Sequence, residues 1–413
     1  MSPLDLVPWL FFLALIGVVL AFDLGVFKRE AHAITFGEAL TRSVIYISLG
    51  LAFNLLVYFL YEHNLFGVGH HVGHPLDGGT AALQFFTGFL LEYSLSLDNV
   101  FVIAIIFNYF QIPLAYQHRV LFWGVLGALI MRGIMIALGA ALISRFDWII
   151  YVFGGILILT ALRMLFSGHE NVEPEKSPVV RLARRLYPVT PTLHGEHFFV
   201  DWNGRRAATP LFLVLLVVES TDVIFAVDSI PAIFAVTRDP FLVFSSNVFA
   251  ILGLRSLYFA IAPLMDKFRY LKLSLVFVLA FVGVKMILSH HEPIPTRISL
   301  SVIIGILAVG VLASALALAR EAGPLRLPGA DLDAITRSTL TAARKLIVLV
   351  LGATVLVIGA AMVVLPGPAL VVIPAGLAIL ASEFVWARRL LQRLRNEVRS
   401  LVGAGKGRGD GSA

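Results

Sequence analysis

Three carboxylates, Glu219, Asp222 and Asp228, stand inside the stretch ESTDVIFAVDS, part of an otherwise apolar run that begins at Leu211. An ionised Asp at the centre of a bilayer costs about 2.5–3.5 kcal/mol on insertion scales, so a group of them persists there only when something neutralises it. A cation is the direct answer, and oxygen donors suit Mn2+, Mg2+ and Ca2+, whereas Cu and Zn favour Cys and His. A sister stretch upstream, EYSLSLDN from Glu92 to Asn99, sets Glu92 and Asp98 at the same separation as Asp222 and Asp228. The Asn99 amide and the hydroxyls of Ser94, Ser96, Ser220, Thr221 and Ser229 lie among these acids and enlarge the oxygen donor set.

Holding such groups requires spanning elements, and the composition supplies them. The 413 residues are 59% hydrophobic and 14% charged, with a mean hydropathy of +0.90, which excludes an ordinary soluble domain and predicts an all-α polytopic membrane protein. The absence of cysteine removes disulfides, thiolate metal sites and Fe–S clusters. Apolar runs long enough to span lie at 6–27, 40–61, 81–108, 120–144, 148–167, 210–236, 241–262, 271–289 and 299–319. The first lacks the basic region and cleavage site of a signal peptide and reads as a retained helix. A polar linker, 321–344, precedes two further runs at 346–365 and 369–384, joined by Pro366-Gly367-Pro368, giving about eleven spans. A basic amphipathic segment ends at 402, and the Gly-rich tail 403–413 reads as disordered.

With the N-terminus outside and the C-terminus cytoplasmic, the inner segments, together with Arg42 and Lys272 at the inner ends of their spans, hold 25 of the 32 Lys and Arg, and the outer loops only Arg145, Arg238 and Arg297. That alternation is the positive-inside rule, so the net charge of +6 needs no nucleic acid to explain it. In the largest inner loop, FFVDWNGRR carries Asn203-Gly204 between an aromatic run and a basic one. It reads either as a tight hairpin or as a basic loop that only anchors topology.

The matched pieces extend beyond the acids. LRMLFSGHE, from Leu162, is similar to VKMILSHHE, from Val284, pairing Arg163 with Lys285, and Arg132 and Arg255 occupy the matching middle helices. The third to fifth spans, about 81–170, therefore correspond to the sixth to eighth, about 208–292. Because each unit has an odd number of spans, the copies lie in opposite orientations, an arrangement transporters use to build a midplane site.

EYSLSLDN and VVESTDVIFAVDSIPAIFAVTRDP, with SSNVFAILGLRSLYF and GVKM after them, resemble the TerC membrane family, in particular its Alx-like branch of manganese exporters, over about residues 22–320. The resemblance implies export of divalent metal, chiefly Mn2+, from a bacterial cytoplasmic membrane, with Glu92, Asp98, Glu219, Asp222 and Asp228 as ligands, Asn99 beside them, and Asp23 where the family places an acid in its first helix. Some relatives are associated instead with tellurite resistance or membrane-protein assembly, which is the alternative reading. Residues 345–402 resemble a two-helix family named for a Pro-Gly-Pro-Gly-Trp turn, although PGPAL here lacks the Gly-Trp half.

Residues six apart on a regular helix point about 120° apart and lie ~9 Å apart along the axis, so neither acid pair grips one ion unless its helix is broken or kinked, or ligands come from both copies. Pro231 offers a cause of interruption in the second copy. The expected site lies between the third and sixth spans, built mainly from Asp98, Asn99, Asp222 and Asp228, with Ser229 and Asp23 as further candidates and Glu92 and Glu219 in an outer layer or access path. Six intramembrane acids face four bases, Arg132, Arg163, Arg255 and Lys285, leaving two negative charges that one divalent cation balances. The same acids could equally be protonated or paired with those bases for structural reasons. A base displaced by metal would couple occupancy to conformation, and Lys285, whose pKa can shift, is the first candidate. An outer cluster of His63, His70, His71 and His74, with His290, His291 and Glu292, could gather metal. The reading is a gradient-driven Mn2+ exporter, not an enzyme, with no permanent cofactor, the metal and the lipid bilayer being its partners.

Overall fold

The computed structural model describes residues 6–27, 35–72, 76–166, 178–262, 269–289, 294–321 and isolated positions between 374 and 392. Within them run α1 (Val7–Phe27), α2 (Phe36–Glu62), α3 (Gly78–Tyr109), α4 (Leu114–Arg145), α5 (Ile149–Phe166), α6 (Pro178–Leu186), β1 (Phe199–Trp202), β2 (Arg205–Ala208), α7 (Pro210–Phe234), α8 (Pro240–Ile261), α9 (Arg269–Leu288) and α10 (Thr296–Glu321). The nine long helices fall on the first nine apolar runs. Seven of them, α2 to α5, α7, α9 and α10, are long and apolar enough to cross a membrane, and α1 and α8 contribute shorter apolar stretches. The chain is thus a polytopic helical membrane protein, as a bilayer requires of a backbone that must satisfy its own polar groups. The runs expected at 346–365 and 369–384 lie almost entirely outside the described residues, as do the linker and tail.

Local chemistry sets the helix starts. Thr35 and Glu38 form a reciprocal capping box at α2, and Asp77 accepts the Thr80 N–H at 2.9 Å to cap α3. Asp239 caps α8 by accepting the N–H groups of Phe241 and Leu242, with Pro240 in the first turn where its missing N–H costs nothing.

The chain divides into two compact units, one holding α1 to α8 and the other α9 and α10. In the first, α3 packs most extensively on α8, α8 also on α2, and α4 on α7, with α3 meeting α7 and α4 meeting α8 to close a four-helix centre. Glycines permit the close approach. A Cβ on Gly88 of α3 would meet Ser246 Oγ of α8 at 2.9 Å, and one on Gly139 of α4 would meet the Phe234 ring at 2.8 Å. Phe12, Phe53, Phe85 and Phe249 add an aromatic cluster joining α1, α2, α3 and α8. In the second unit, Gly310 of α10 lets Ser274 of α9 close against it.

Two expectations change. The broken or kinked acidic helices are not found: α3 runs unbroken for 32 residues and α7 for 25. Pro231 falls in the last turn of α7, so the ladder bond it removes lies where the helix is already ending. The all-α description gains a small exception in the β1–β2 hairpin, whose Asn203 and Gly204 both have positive φ, 52° and 71°, as a tight primed turn demands. The tight hairpin expected for that stretch is present.

Candidate functional site

At the centre of the first unit sits Arg132 of α4, 1% exposed. Its Nη2 and Nε donate to the two carboxylate oxygens of Asp222 at 2.8 and 3.1 Å, and its Nη1 donates to Glu92 Oε1. The same Nη1 lies 3.3 Å from Ser229 Oγ and 3.5 Å from Asn247 Oδ1. One guanidinium therefore ties α3, α7 and α8 to α4. Arginine keeps its charge even when buried and has a planar fork that matches a carboxylate, so the contact with Asp222 is the strong, bidentate kind.

The charges do not close. Glu92 and Asp222 bring two negative charges to one positive, leaving one negative charge in a buried place when both are ionised. Hydrogen bonding does not close either: among the described residues, Glu92 Oε2 and Asn247 Nδ2 are buried with no partner. A buried polar atom left unsatisfied costs about 1–3 kcal/mol, so native structures rarely keep one without a use for it. Against Asp222 opens a cavity of about 30 Å³, lined on its polar side by Asn99, Thr221 and Asp222 and walled by Leu121, Val218 and Ile251 among others. That is above the roughly 10–15 Å³ that one water molecule needs, so a small guest fits.

The remaining expected residues are distributed around this centre. Asp98 is half-buried on α3. Glu219 lies over Gly127 of α4, where a Cβ would strike its carboxylate. Asp228 accepts the Thr160 hydroxyl of α5 at 2.6 Å. Arg163 lies on α5 and is exposed. Lys285 belongs to α9 in the second unit. Asp23 and Arg255 lie on α1 and α8, with their side chains outside the described residues. His63 is exposed just past α2, while the side chains of His70, His71, His74, His290, His291 and Glu292 lie outside the described residues.

The expected inner layer of Asp98, Asn99, Asp222 and Asp228 is thus rearranged: Glu92, placed at first in an outer layer, shares the centre with Asp222, and Asp228 turns to α5. Among the described residues no three His, Asp or Glu side chains converge on one point as a ready metal cage. Helix geometry is the reason. Six residues along an unbroken helix carry the second acid about 120° round, so Asp222 meets Arg132 of α4 while Asp228 meets Thr160 of α5. Sequence reasoning missed Asn247 and Thr160. The first had a signal, since Ser245-Ser246-Asn247 is a polar triplet inside an apolar run.

With this geometry in view, residues 77–322 match the family described as "Integral membrane protein TerC family", and residues 345–397 match "Putative transmembrane protein (PGPGW)". An uncharacterized membrane protein of Myxococcus xanthus, STKORF319, is 49% identical over 306 residues, 74% of this chain and 91% of the relative. "Putative membrane-bound redox modulator Alx" of Escherichia coli K12 is 45% identical over 302 residues, 73% of this chain and 92% of the relative. A membrane protein of Rickettsia bellii is 39% identical over 306 residues, 74% of this chain and 96% of the relative. No solved structure matches the chain. The acids of the centre, Arg132 and the cavity all fall inside the first matched segment, and the chain belongs to the integral membrane protein TerC family.

Proposed function

We propose that this chain is a secondary transporter that exports a divalent metal cation, Mn2+ foremost, across the bacterial cytoplasmic membrane. One observation carries the reading: two buried carboxylates from different helices share a single guanidinium, leaving a negative charge and an unpartnered oxygen on Glu92, while a small cavity opens against Asp222. A divalent cation with oxygen preference is the species that balances Glu92 and Asp222 together. Arg132 then acts as the resident counter-ion, holding the acids until metal replaces it, and this role passes to Arg132 from Lys285. Asn99, Thr221 and Ser229 offer neutral oxygens, and Asp98, Glu219 and Asp228 line the way in or out. The choice of Mn2+ among hard cations rests on the family resemblance.

The inverted repeat belongs to this reading. Exchanging the copies turns the packing of α3 on α8 into that of α7 on α4, and both packings are among the most extensive in the first unit. About eleven spans, with the N-terminus outside and the C-terminus in the cytoplasm, complete the proposal, the drive being an ion gradient in which protons take the carboxylates that metal vacates. The chain has no cysteine, so an effect on redox state of the kind named for the Alx relatives would not act through thiols of its own.

Purified protein in liposomes tests the reading. Wild type is expected to move Mn2+ in preference to Mg2+, Ca2+ and Zn2+, Asp222→Asn to lose flux, and Asp98→Asn and Asp228→Asn to reduce it. Absence of metal flux from the wild-type protein would overturn transport and favour an assembly or stress-response factor.

A further inference from the structure

The connection between α5 and α7 carries a surface that the metal site does not use. Val180 and Ala183 on the inner face of α6 are buried in the same apolar cluster as Leu211, Val214 and Val217 of α7, Phe107 near the end of α3 and Val120 near the start of α4. Leu211, Val214 and Val217 lie near the start of α7, within about 10 Å of its end at 1.5 Å per residue. The hydrocarbon core of a bilayer gives way to headgroups over the same depth. α6 is therefore held at the boundary between acyl chains and headgroups.

Its outer face has two parallel stripes. Leu182 and Leu186 are 56% and 66% exposed, and beside them Arg181 and Arg185 are exposed as well. Residues four apart share a helix face, so the leucines form one row and the arginines the next. In water two such leucines would simply be lost burial. At a headgroup boundary they enter the acyl layer, while the arginine stems follow and lift their guanidinium groups to the phosphates. The second strand of the hairpin, β2, carries exposed Arg205 and Arg206, and Tyr187 and Trp202 expose rings of the kind enriched at membrane interfaces.

We propose that α6 with the β1–β2 hairpin is a docking site for the headgroups of anionic phospholipids. Lipid is the occupant because the surface is built onto the ends of spanning helices, where a headgroup is the neighbour at hand, and because rows of cations and apolar side chains match the phosphate and the acyl chains of one molecule. Arginine grips a phosphate through two parallel N–H donors, which favours an anionic lipid over a zwitterionic one. On the orientation proposed above, the leaflet is the cytoplasmic one, where anionic lipid creates a negative surface. The site is independent of the metal reading.

Native mass spectrometry of the full chain in detergent, titrated with phosphatidylglycerol or phosphatidylcholine of matched chains, tests it. Wild type is expected to retain phosphatidylglycerol preferentially. Arg181→Gln/Arg185→Gln is expected to lower that retention about tenfold or more, on the scale of surface-bound basic residues. Leu182→Ser/Leu186→Ser is expected to weaken both lipids alike. All four positions are exposed, so unfolding temperatures in detergent stay at the wild-type value and the loss reads as lost binding. Equal retention of the two lipids by wild type, or a preference that survives in the arginine variant, would overturn the proposal. Displacement of phosphatidylglycerol by millimolar inorganic phosphate would overturn the lipid assignment in favour of a soluble anion.

Discussion

Asp239 and Glu92 are both buried carboxylates of the first unit, 1% and 0% exposed, and their surroundings are opposite. Asp239 opens α8, where one oxygen accepts the N–H groups of Phe241 and Leu242 at 2.9 and 3.3 Å and the other accepts the Tyr61 hydroxyl at 2.7 Å. These three donors are neutral, and the helix N-terminus favours the negative charge. Glu92 stands in the middle of α3, far from either helix end, with one oxygen on Arg132 and the other without a partner among the described residues. A carboxylate whose lone pairs are filled by fixed backbone and a phenol is part of the scaffold. One that shares a movable cation with a second acid keeps an oxygen in reserve.

The largest effect is expected from removing that cation. Arg132→Met leaves Glu92 and Asp222 buried and facing each other, and breaking a buried pair from one side costs about 3–5 kcal/mol. Denaturant or thermal unfolding in detergent should show that loss. Adding Glu92→Gln and Asp222→Asn to the same variant should restore most of it, because no charge is then stranded. Mn2+ should stabilise Arg132→Met more than wild type, since the metal no longer competes with the guanidinium. An Arg132→Met protein as stable as wild type in the absence of metal would remove the contrast between the two carboxylates.

Next in size is Asp239→Ala, which removes a helix cap and a charge-assisted hydrogen bond and should cost about 2–3 kcal/mol, while metal flux per folded molecule stays near wild type. Glu92→Gln should do the reverse. It keeps the shape, relieves the surplus negative charge and changes stability by less than about 1 kcal/mol, yet abolishes flux. Liposome transport and unfolding measured on the same preparations separate the two. Matching phenotypes would show both acids to be scaffold or both to be transport groups.

How much of this could be read in advance follows from what determines each feature. The nine long helices were legible because apolar length is a property of contiguous residues, and the Asn203-Gly204 hairpin was legible because a positive φ at two successive positions selects those residue types. The acids were legible as a group, because a carboxylate in an apolar run demands a reason. Which acids meet was not. Glu92, Arg132, Asp222 and Asn247 come together only after α3 closes on α8 and α4 on α7, and those approaches depend on glycines whose use appears only when the facing residue is known. The expected helix break invoked Pro231 without knowing that α7 ends three residues later.

The smallest expected effect tests the scaffold at the N-terminal end of the helix that carries Glu92. Asp77 caps α3 from outside the span, and its hydrogen bonds from Thr80 hold the carboxyl below its ordinary value of 3.8. Asp77→Ala should cost about 1 kcal/mol, and Asp77→Asn, which still caps, less. A carboxyl depressed in the folded state adds stability above its unfolded pKa, and that contribution fades as pH falls through the lowered folded value. The gap between wild type and Asp77→Asn should therefore be constant from neutral pH down to about pH 5 and shrink below pH 4. The exposure of Asp77 keeps the effect small and screened by salt, which makes it a control for Glu92→Gln. If Asp77→Ala abolished Mn2+ flux as Glu92→Gln is expected to, loss of transport would follow from loosening α3 anywhere along its length, and the special standing of Glu92 would be gone.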